Sequence, residues 1–260
     1  MAASLQSHSV GATMVLTISN PEHRNALGPD IYTAGIEAFN AADSNPEVRS
    51  IVLTGEGAHF CAGGQLQRLK DNRQKPPEFQ ARGMDEGLHS WIEAIHACSK
   101  PVIAAVEGAC AGAGFSVALA CDMVVAADNA VFVMAYSNVG LSPDGGASWA
   151  LARQLPRATV MQLLMLGERM SAPRLHALGL VNEVTAPVAS LNAALALAER
   201  LNARAPNVLA SLKELVNDAP TQALHAQLGA ERDHFVRNLH HANGGEGIGA
   251  FLEKREPRYR

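Results

Sequence analysis

The sequence predicts an α/β fold in which short buried strands alternate with helices, and two observations support this prediction. The apolar runs at residues 50–54 (SIVLT) and 101–106 (PVIAAV) are short and uninterrupted, as expected for strands buried on both faces of a sheet. Each run leads into a glycine-rich corner, and a helical pattern follows. Because this unit recurs along the chain, right-handed α/β connections are expected.

The other elements are predicted in chain order from the spacing of apolar residues. Predicted strands cover residues 14–18, 50–54, 101–106, 123–126 and 131–134, and predicted helices cover residues 30–42, 85–98 and 115–121. A further helix is expected to open at Gly63-Gly64. Residues 71–85 are polar and contain prolines, which predicts a mobile loop.

The last part of the chain is predicted to be helical. Strand patterns stop after Pro187, and helical patterns continue to a basic tail. The sequence therefore predicts two regions, a core at residues 1–199 and a C-terminal helical region at residues 200–260.

Composition narrows the function classes. The formal net charge of −4 offers no basic surface for a nucleic acid partner. The N-terminal residues lack the basic and apolar segments of a signal peptide, and no apolar run is long enough to cross a membrane. Cys61, Cys98, Cys110 and Cys121 lie in apolar stretches without metal-ligand spacing. We therefore predict a cytoplasmic protein with buried, reduced thiols and no membrane partner.

Two glycine-rich corners, at residues 59–66 (HFCAGGQL) and 108–114 (GACAGAG), share one design. Their small side chains let a ligand approach the backbone, and the helix start behind each corner leaves N–H groups unpaired. Two such groups that converge on one oxygen would stabilise an oxyanion, and each donor is worth roughly 3 kcal/mol of barrier. The alternative is that the small residues serve close packing of helix on sheet.

Several motifs occur in the order found in one superfamily. They are Asn20-Pro21, RNAL at residues 24–27, FCAGG at 60–64, PVIAAVEG at 101–108, ACD at 120–122, RMSA at 169–172, GLV at 179–181 and FLEKR at 251–255. This pattern resembles the crotonase (enoyl-CoA hydratase/isomerase) superfamily. The resemblance implies a crotonase-like ββα spiral, a C-terminal helical trimerisation region and an acyl-CoA thioester as substrate, with coenzyme A as part of the substrate and no separate cofactor. It also implies a homotrimer or a dimer of trimers.

The resemblance also assigns site residues. The N–H groups of Gly64 and Ala113 would form the oxyanion hole. Residues that would bind coenzyme A or the acyl group are Arg24, Ala26, Leu27, Ala62, Leu66, Tyr136, Phe251 and Lys254. The resemblance allows the last two to contribute across a subunit boundary.

The acid–base residues are the open question. Hydratases of this superfamily use two glutamates, and the matching positions here hold Ser116 and Tyr136, neither of which is a good general base near neutral pH. Asp144, in the sequence Pro143-Asp144-Gly145-Gly146, could be a helix N-cap. Residues 132–146 are similar, however, to the branch of 1,2-epoxyphenylacetyl-CoA and enoyl-CoA isomerases. Our hypothesis is therefore an isomerase in which Asp144 alone removes and returns a proton.

Three alternatives stay open at this point. The first is an enoyl-CoA hydratase with a non-standard base. The second is an aryl-CoA dehalogenase with Asp144 as nucleophile, in which His89 would assist and Tyr136 would replace a tryptophan. The third is a CoA-thioester-binding protein without catalysis. His225, His234, His240 and His241 fall on C-terminal helices without a suitably spaced carboxylate, so no metal site is predicted.

Overall fold

A computed structural model describes residues 3–260, so Met1 and Ala2 of the predicted core lie outside the described residues. Within this range the strands are β1 (Ser4–Val10), β2 (Thr13–Ser19), β3 (Ser50–Gly55), β4 (Val102–Val106), β5 (Ala109–Ala111), β6 (Met123–Ala127), β7 (Val131–Val133), β8 (Arg169–Ser171) and β9 (Glu183–Thr185). A six-stranded sheet has the order β1-β2-β3-β4-β6-β9, and a three-stranded sheet has the order β5-β7-β8. β1 and β2 form an antiparallel pair, and the other neighbours in the large sheet are parallel.

Helices connect and cover the strands. They are α1 (Pro29–Ser44), α2 (Leu66–Asn72), α3 (Pro77–Met84), α4 (Ser90–Ala97), α5 (Ala113–Ala120), α6 (Ala147–Gln154), α7 (Arg157–Leu166), α8 (Ala172–Ala177), α9 (Ser190–Asn202), α10 (Pro206–Asp218), α11 (Leu224–Leu239) and α12 (Ala242–Glu253). A π-helical turn, Asp85–His89, joins α3 to α4.

The inner strands β3 and β4 of the large sheet are buried on both faces, as their apolar runs predict. In β3, Ile51 and Leu53 point into the main core, whereas Val52 between them belongs to a second cluster. That cluster is completed by Ala194 and Ala198 of α9, which pack against the opposite face of the sheet. Since successive side chains of a strand alternate between faces, a run without polar residues is what two covered faces require.

The prediction of a loop at residues 71–85 is wrong. α2 continues to Asn72, and α3 occupies Pro77–Met84 before the π-helical turn begins at Asp85. The prolines mislead because Pro77 is the first residue of α3, where the missing proline N–H would have no helical partner in any case. The edge strand β1 and the three-residue strands β5, β8 and β9 are also absent from the sequence prediction.

The last strand is β9, and only helices follow it within the described chain, which confirms the helical end. α9 spans the predicted division between residues 199 and 200, and that division stays a prediction. All four cysteines are buried and free. Among residues 3–260, no helix is both long enough and apolar enough to cross a membrane.

Candidate active site

The two glycine-rich corners lie side by side and are hydrogen-bonded to each other. Cys61 donates its N–H to the carbonyl of Ala109 at 2.9 Å and accepts the N–H of Ala111 at 2.9 Å. A Cβ at Gly114 would lie 2.6 Å from the Cβ of Cys61 and 2.7 Å from its carbonyl oxygen. A glycine is therefore required at residue 114 for the corners to approach this closely.

Each corner leaves one N–H group free. Among residues 3–260, no hydrogen bond uses the N–H of Gly64 or that of Ala113. Ala113 is the first residue of α5, so its N–H has no partner within the helix. The carbonyl of Gly63 is occupied by the N–H of Leu27 at 2.7 Å, which fixes the backbone beside Gly64.

Both free N–H groups belong to residues that line one cavity of about 130 Å³. The remaining wall combines apolar side chains with a few polar ones, and its members come from the two corners, α1, α2, α3, the π-helical turn and the segment after β7. The lining residues are Tyr32, Ala62, Gly63, Leu66, Arg68, Leu69, Gln80, Gly83, Met84, Leu88, Gly112, Ala135, Tyr136, Val139, Leu141 and Asp144. Two unpaired donors at the edge of a largely apolar cavity are suited to binding a developing negative charge on oxygen.

Asp144 is the only carboxylate among the described residues that line this cavity. The Tyr136 hydroxyl donates a hydrogen bond to Asp144 Oδ1 at 2.5 Å. Burial raises the pKa of Tyr136 well above its usual value, and the charge of Asp144 raises it further, so the tyrosine stays a neutral donor. Asp144 is not a helix N-cap: α6 begins at Ala147, and its N-cap residue, Gly146, follows Asp144 by two residues.

Ser116 and Tyr136, which the resemblance matches to the hydratase glutamates, both contact Asp144. The Ser116 hydroxyl donates a hydrogen bond to the backbone carbonyl of Asp144 at 3.0 Å, which helps to fix the position of the Asp144 backbone. The Ser116 side chain is buried and lies outside the cavity lining. The two polar side chains therefore hold Asp144 in place and add no second carboxylate to the cavity.

Sequence reasoning missed three polar side chains of the cavity, Tyr32 of α1, Arg68 of α2 and Gln80 of α3. Tyr32 is 5% exposed, and burial raises its pKa to about 12, with a smaller opposing effect from the Arg68 guanidinium. Tyr32 could have been recognised, because a hydroxyl on the buried face of α1 requires a polar neighbour. Arg68 carries no comparable signal in the sequence.

The residues assigned to coenzyme A binding fall into two groups. Arg24, Ala26 and Leu27 form a loop beside the first corner, where the N–H of Ala62 donates to the carbonyl of Arg24 at 2.9 Å. Asn25, at the centre of this loop, is fully buried and donates to the carbonyls of Glu56 and His59.

The side chains of this loop differ in exposure. Arg24 is exposed, whereas Ala26 and Leu27 are buried, so these two offer a ligand their backbone atoms. Ala62 and Leu66 line the cavity itself.

Three other sequence candidates lie outside the cavity lining in the single chain. Phe251 and Lys254 are exposed at the end of α12. His89 pairs with Asp85 at 3.2 Å, so the histidine expected to assist a dehalogenase does not reach the cavity wall. No group of three or more potential metal ligands is found within residues 3–260.

Comparisons with known proteins agree with this geometry. A family model described as enoyl-CoA hydratase/isomerase matches residues 9–260. The 1,2-epoxyphenylacetyl-CoA isomerase of Escherichia coli K12 is 34% identical over 97% of this chain and 97% of its own length. The 2,3-dehydroadipyl-CoA hydratase of the same organism is 31% identical over 95% and 94%. A crystal structure described as an enoyl-CoA hydratase from Polaromonas sp. JS666 is 66% identical, covers 99% of this chain and 100% of its own, and has a TM-score of 0.97.

The fold and the paired N–H donors define a crotonase-fold protein of the acyl-CoA-processing class. The chain belongs to the enoyl-CoA hydratase/isomerase family.

Proposed function

We propose that the protein is an isomerase that moves a double bond, or rearranges a ring epoxide, in the acyl group of a coenzyme A thioester. The observation that carries this proposal is the presence of one carboxylate, Asp144, in the described wall of a cavity that also presents two free N–H groups. Two-carboxylate hydration would need a second carboxylate, which the described cavity wall lacks, and the resemblance matches Ser116 and Tyr136 to the two glutamate positions.

The chemistry requires one base and one oxyanion site. Asp144 removes a proton from the carbon next to the thioester carbonyl, and the negative charge moves onto the carbonyl oxygen. The N–H groups of Gly64 and Ala113 stabilise that oxygen while the enolate exists. Asp144 then returns the proton to the carbon two positions further along the chain, which completes the migration without loss or gain of atoms.

Tyr136 positions the base in this proposal. Its hydroxyl donates a hydrogen bond to Oδ1 of Asp144, and Oδ2 would accept the proton from the substrate. Because Tyr136 remains protonated, it does not compete for the migrating proton. The loop at residues 24–27, together with Ala62 and Leu66, would bind the coenzyme A part of the thioester, and no separate cofactor is proposed.

The test is a comparison of Asp144→Asn with the unaltered enzyme on 3-enoyl-CoA and 2-enoyl-CoA substrates. General acid–base catalysis contributes about 100- to 10,000-fold, so isomerisation should fall by about 1,000-fold or more while thioester binding changes little. Asp128→Asn, which removes an exposed carboxylate elsewhere, is the matched control and should retain full activity. Full activity of Asp144→Asn would refute the proposal.

A second measurement separates isomerisation from hydration. In water enriched with ¹⁸O, a hydratase places the label in its product, and an isomerase does not. Rapid incorporation of the label from a 2-enoyl-CoA substrate would favour the hydratase that uses a non-standard base. Release of halide from a 4-halobenzoyl-CoA would favour the dehalogenase, and binding without turnover of any thioester would favour a binding protein.

We also propose that the chain assembles as a homotrimer, or as two stacked trimers, in the cytoplasm. Exposed apolar side chains on the C-terminal helices support assembly, among them Phe235 of α11 and Phe251 of α12, which are 68% and 82% exposed. Contact with a second copy would cover such surfaces. Sedimentation or size-exclusion chromatography with light scattering tests this proposal, and a monomer at micromolar concentration would contradict it.

A further inference from the structure

Arg68 brings a guanidinium group to the wall of the cavity, and the proposed isomerisation has no use for it. Its Nε atom is buried, and no hydrogen bond to that atom is found among residues 3–260. The side chain takes part in no ion pair within the same range. A buried donor of a charged group that lacks a partner is costly, so the surroundings of Arg68 are incomplete without a further acceptor.

The cavity wall around Arg68 combines polar side chains with apolar ones. The Arg68 guanidinium lies close enough to the Tyr32 hydroxyl to offset part of the rise that burial causes in the pKa of Tyr32. Leu69, Met84 and Leu88 form the apolar part of the wall. Asp144, the carboxylate of the cavity, is held by the Tyr136 hydroxyl and forms no ion pair with Arg68.

We propose that the substrate is a dicarboxylic acyl thioester, whose distal carboxylate is bound by Arg68 with Tyr32 as a neighbouring donor. This inference rests on the proposed function, in that the cavity takes the acyl part of a coenzyme A thioester. A guanidinium is planar and presents paired N–H groups, which match the two oxygens of a carboxylate. The volume of about 130 Å³ suits a short acyl chain.

The experiment measures binding of two saturated thioesters, adipyl-CoA and hexanoyl-CoA, by isothermal titration calorimetry. The two have six-carbon acyl groups and differ in whether the far end is a carboxylate or a methyl group. Because hydrogen bonds to charged groups are stronger than neutral ones, adipyl-CoA should bind about tenfold or more tightly. In Arg68→Met this preference should disappear, whereas hexanoyl-CoA should bind as it does to the unaltered protein.

Arg73→Met is the matched control. It removes the same charge from the end of the same helix, where the side chain is exposed and outside the cavity lining, and it should keep the preference. If Arg68→Met does not fold, Arg68→Lys provides the test, because a lysine keeps the charge and loses the paired geometry. The preference for adipyl-CoA should then fall by several-fold.

Equal binding of the two thioesters by the unaltered protein, or a preference that survives both Arg68 substitutions, would overturn the inference. The outcome is independent of the reaction, since neither thioester contains a double bond to migrate. An adipyl preference that depends on Arg68, combined with full activity of Asp144→Asn, would refute the proposed isomerase and leave the inference standing.

Discussion

The cavity has two walls of different character. The backbone wall consists of the N–H groups of Gly64 and Ala113, and the side-chain wall consists of Tyr32, Arg68, Tyr136 and Asp144. The first is positioned by hydrogen bonds between the corners and by the start of α5. The second is assembled from α1, α2 and the segment after β7. The backbone wall therefore follows from the fold itself. The side-chain wall can change by single substitutions, and we expect it to determine the reaction and the substrate.

After Asp144→Asn, the largest effect is expected from removing a donor of the backbone wall with Ala113→Pro. Proline has no N–H and is tolerated at the first residue of a helix, so α5 should still form. Loss of one oxyanion donor lowers kcat by about 100- to 1,000-fold, and the ring would also occupy the space in front of the missing hydrogen. Steady-state kinetics on a 3-enoyl-CoA, with thermal unfolding to check the fold, provide the measurement.

Leu224→Pro is the matched control for this substitution. Leu224 is the first residue of α11, is exposed, and follows a residue with the extended backbone that precedes proline readily. Its activity should stay within a factor of about two, since surface changes away from special features have small effects. Activity of Ala113→Pro above a tenth of the unaltered level would show that the backbone wall does not hold an oxyanion.

The two walls also differ in how much of them the sequence predicts. The backbone wall could be located because small residues at a strand–helix corner have few structural explanations, and Gly64 and Ala113 line one cavity as the resemblance implies. Tyr32 and Arg68 could not be located, because the contact between α1 and α2 is a tertiary one that neither helix reveals alone.

The same distinction holds for the fold. β3 and β4 were predicted because their burial on both faces leaves an uninterrupted apolar run. β5 (ACA), β8 (RMS) and β9 (EVT) have three residues each and lack the consecutive β-branched and aromatic residues that made the equally short β7 (VFV) recognisable. β1 (SLQSHSV) is largely exposed and lies at the edge of the sheet, so it lacks the apolar residues that mark a strand.

A smaller effect is expected within the side-chain wall from Tyr136→Phe, which removes the hydrogen bond to Asp144 Oδ1. Misplacement of a base by about 1 Å can cost as much as 100-fold, and we expect kcat to fall by about 10- to 100-fold with KM little changed. In the Asp144→Asn background the same substitution should have little further effect, because the two residues act as a unit.

A pH profile adds a second readout for Tyr136. Burial and Asp144 raise the pKa of Tyr136. Its hydroxyl therefore stays protonated at about pH 10, where a free tyrosine ionises. The unaltered enzyme and Tyr136→Phe should therefore show the same alkaline dependence of kcat. An alkaline loss of activity that vanishes in Tyr136→Phe would show that the tyrosine itself transfers a proton.

The smallest effect concerns the stability of the backbone wall at alkaline pH. The Cys61 thiol is fully buried beneath the first corner and accepts the Gly63 N–H at 3.3 Å. Burial raises its pKa from 9.0 to about 12. Between pH 9.0 and about pH 12 the thiol of the unfolded chain loses a proton that the folded protein keeps. The free energy of unfolding therefore falls as the pH rises above 9.0, and this thiol does not affect it at lower pH.

Cys61→Ala should remove this part of the alkaline loss. Because one pKa unit corresponds to about 1.4 kcal/mol, the decrease in the free energy of unfolding between pH 7 and pH 10 should be smaller by about 1 kcal/mol in the variant. Urea unfolding at the two pH values gives the difference directly, and comparing each variant with itself cancels the cost of the lost sulfur atom. Val52→Ala, which trims a buried side chain of β3 that does not titrate, is the control for lost side-chain volume and should leave the alkaline decrease unchanged. An unchanged alkaline decrease in Cys61→Ala would contradict this prediction. It would mean that the Cys61 thiol ionises as readily in the folded protein as in the unfolded chain.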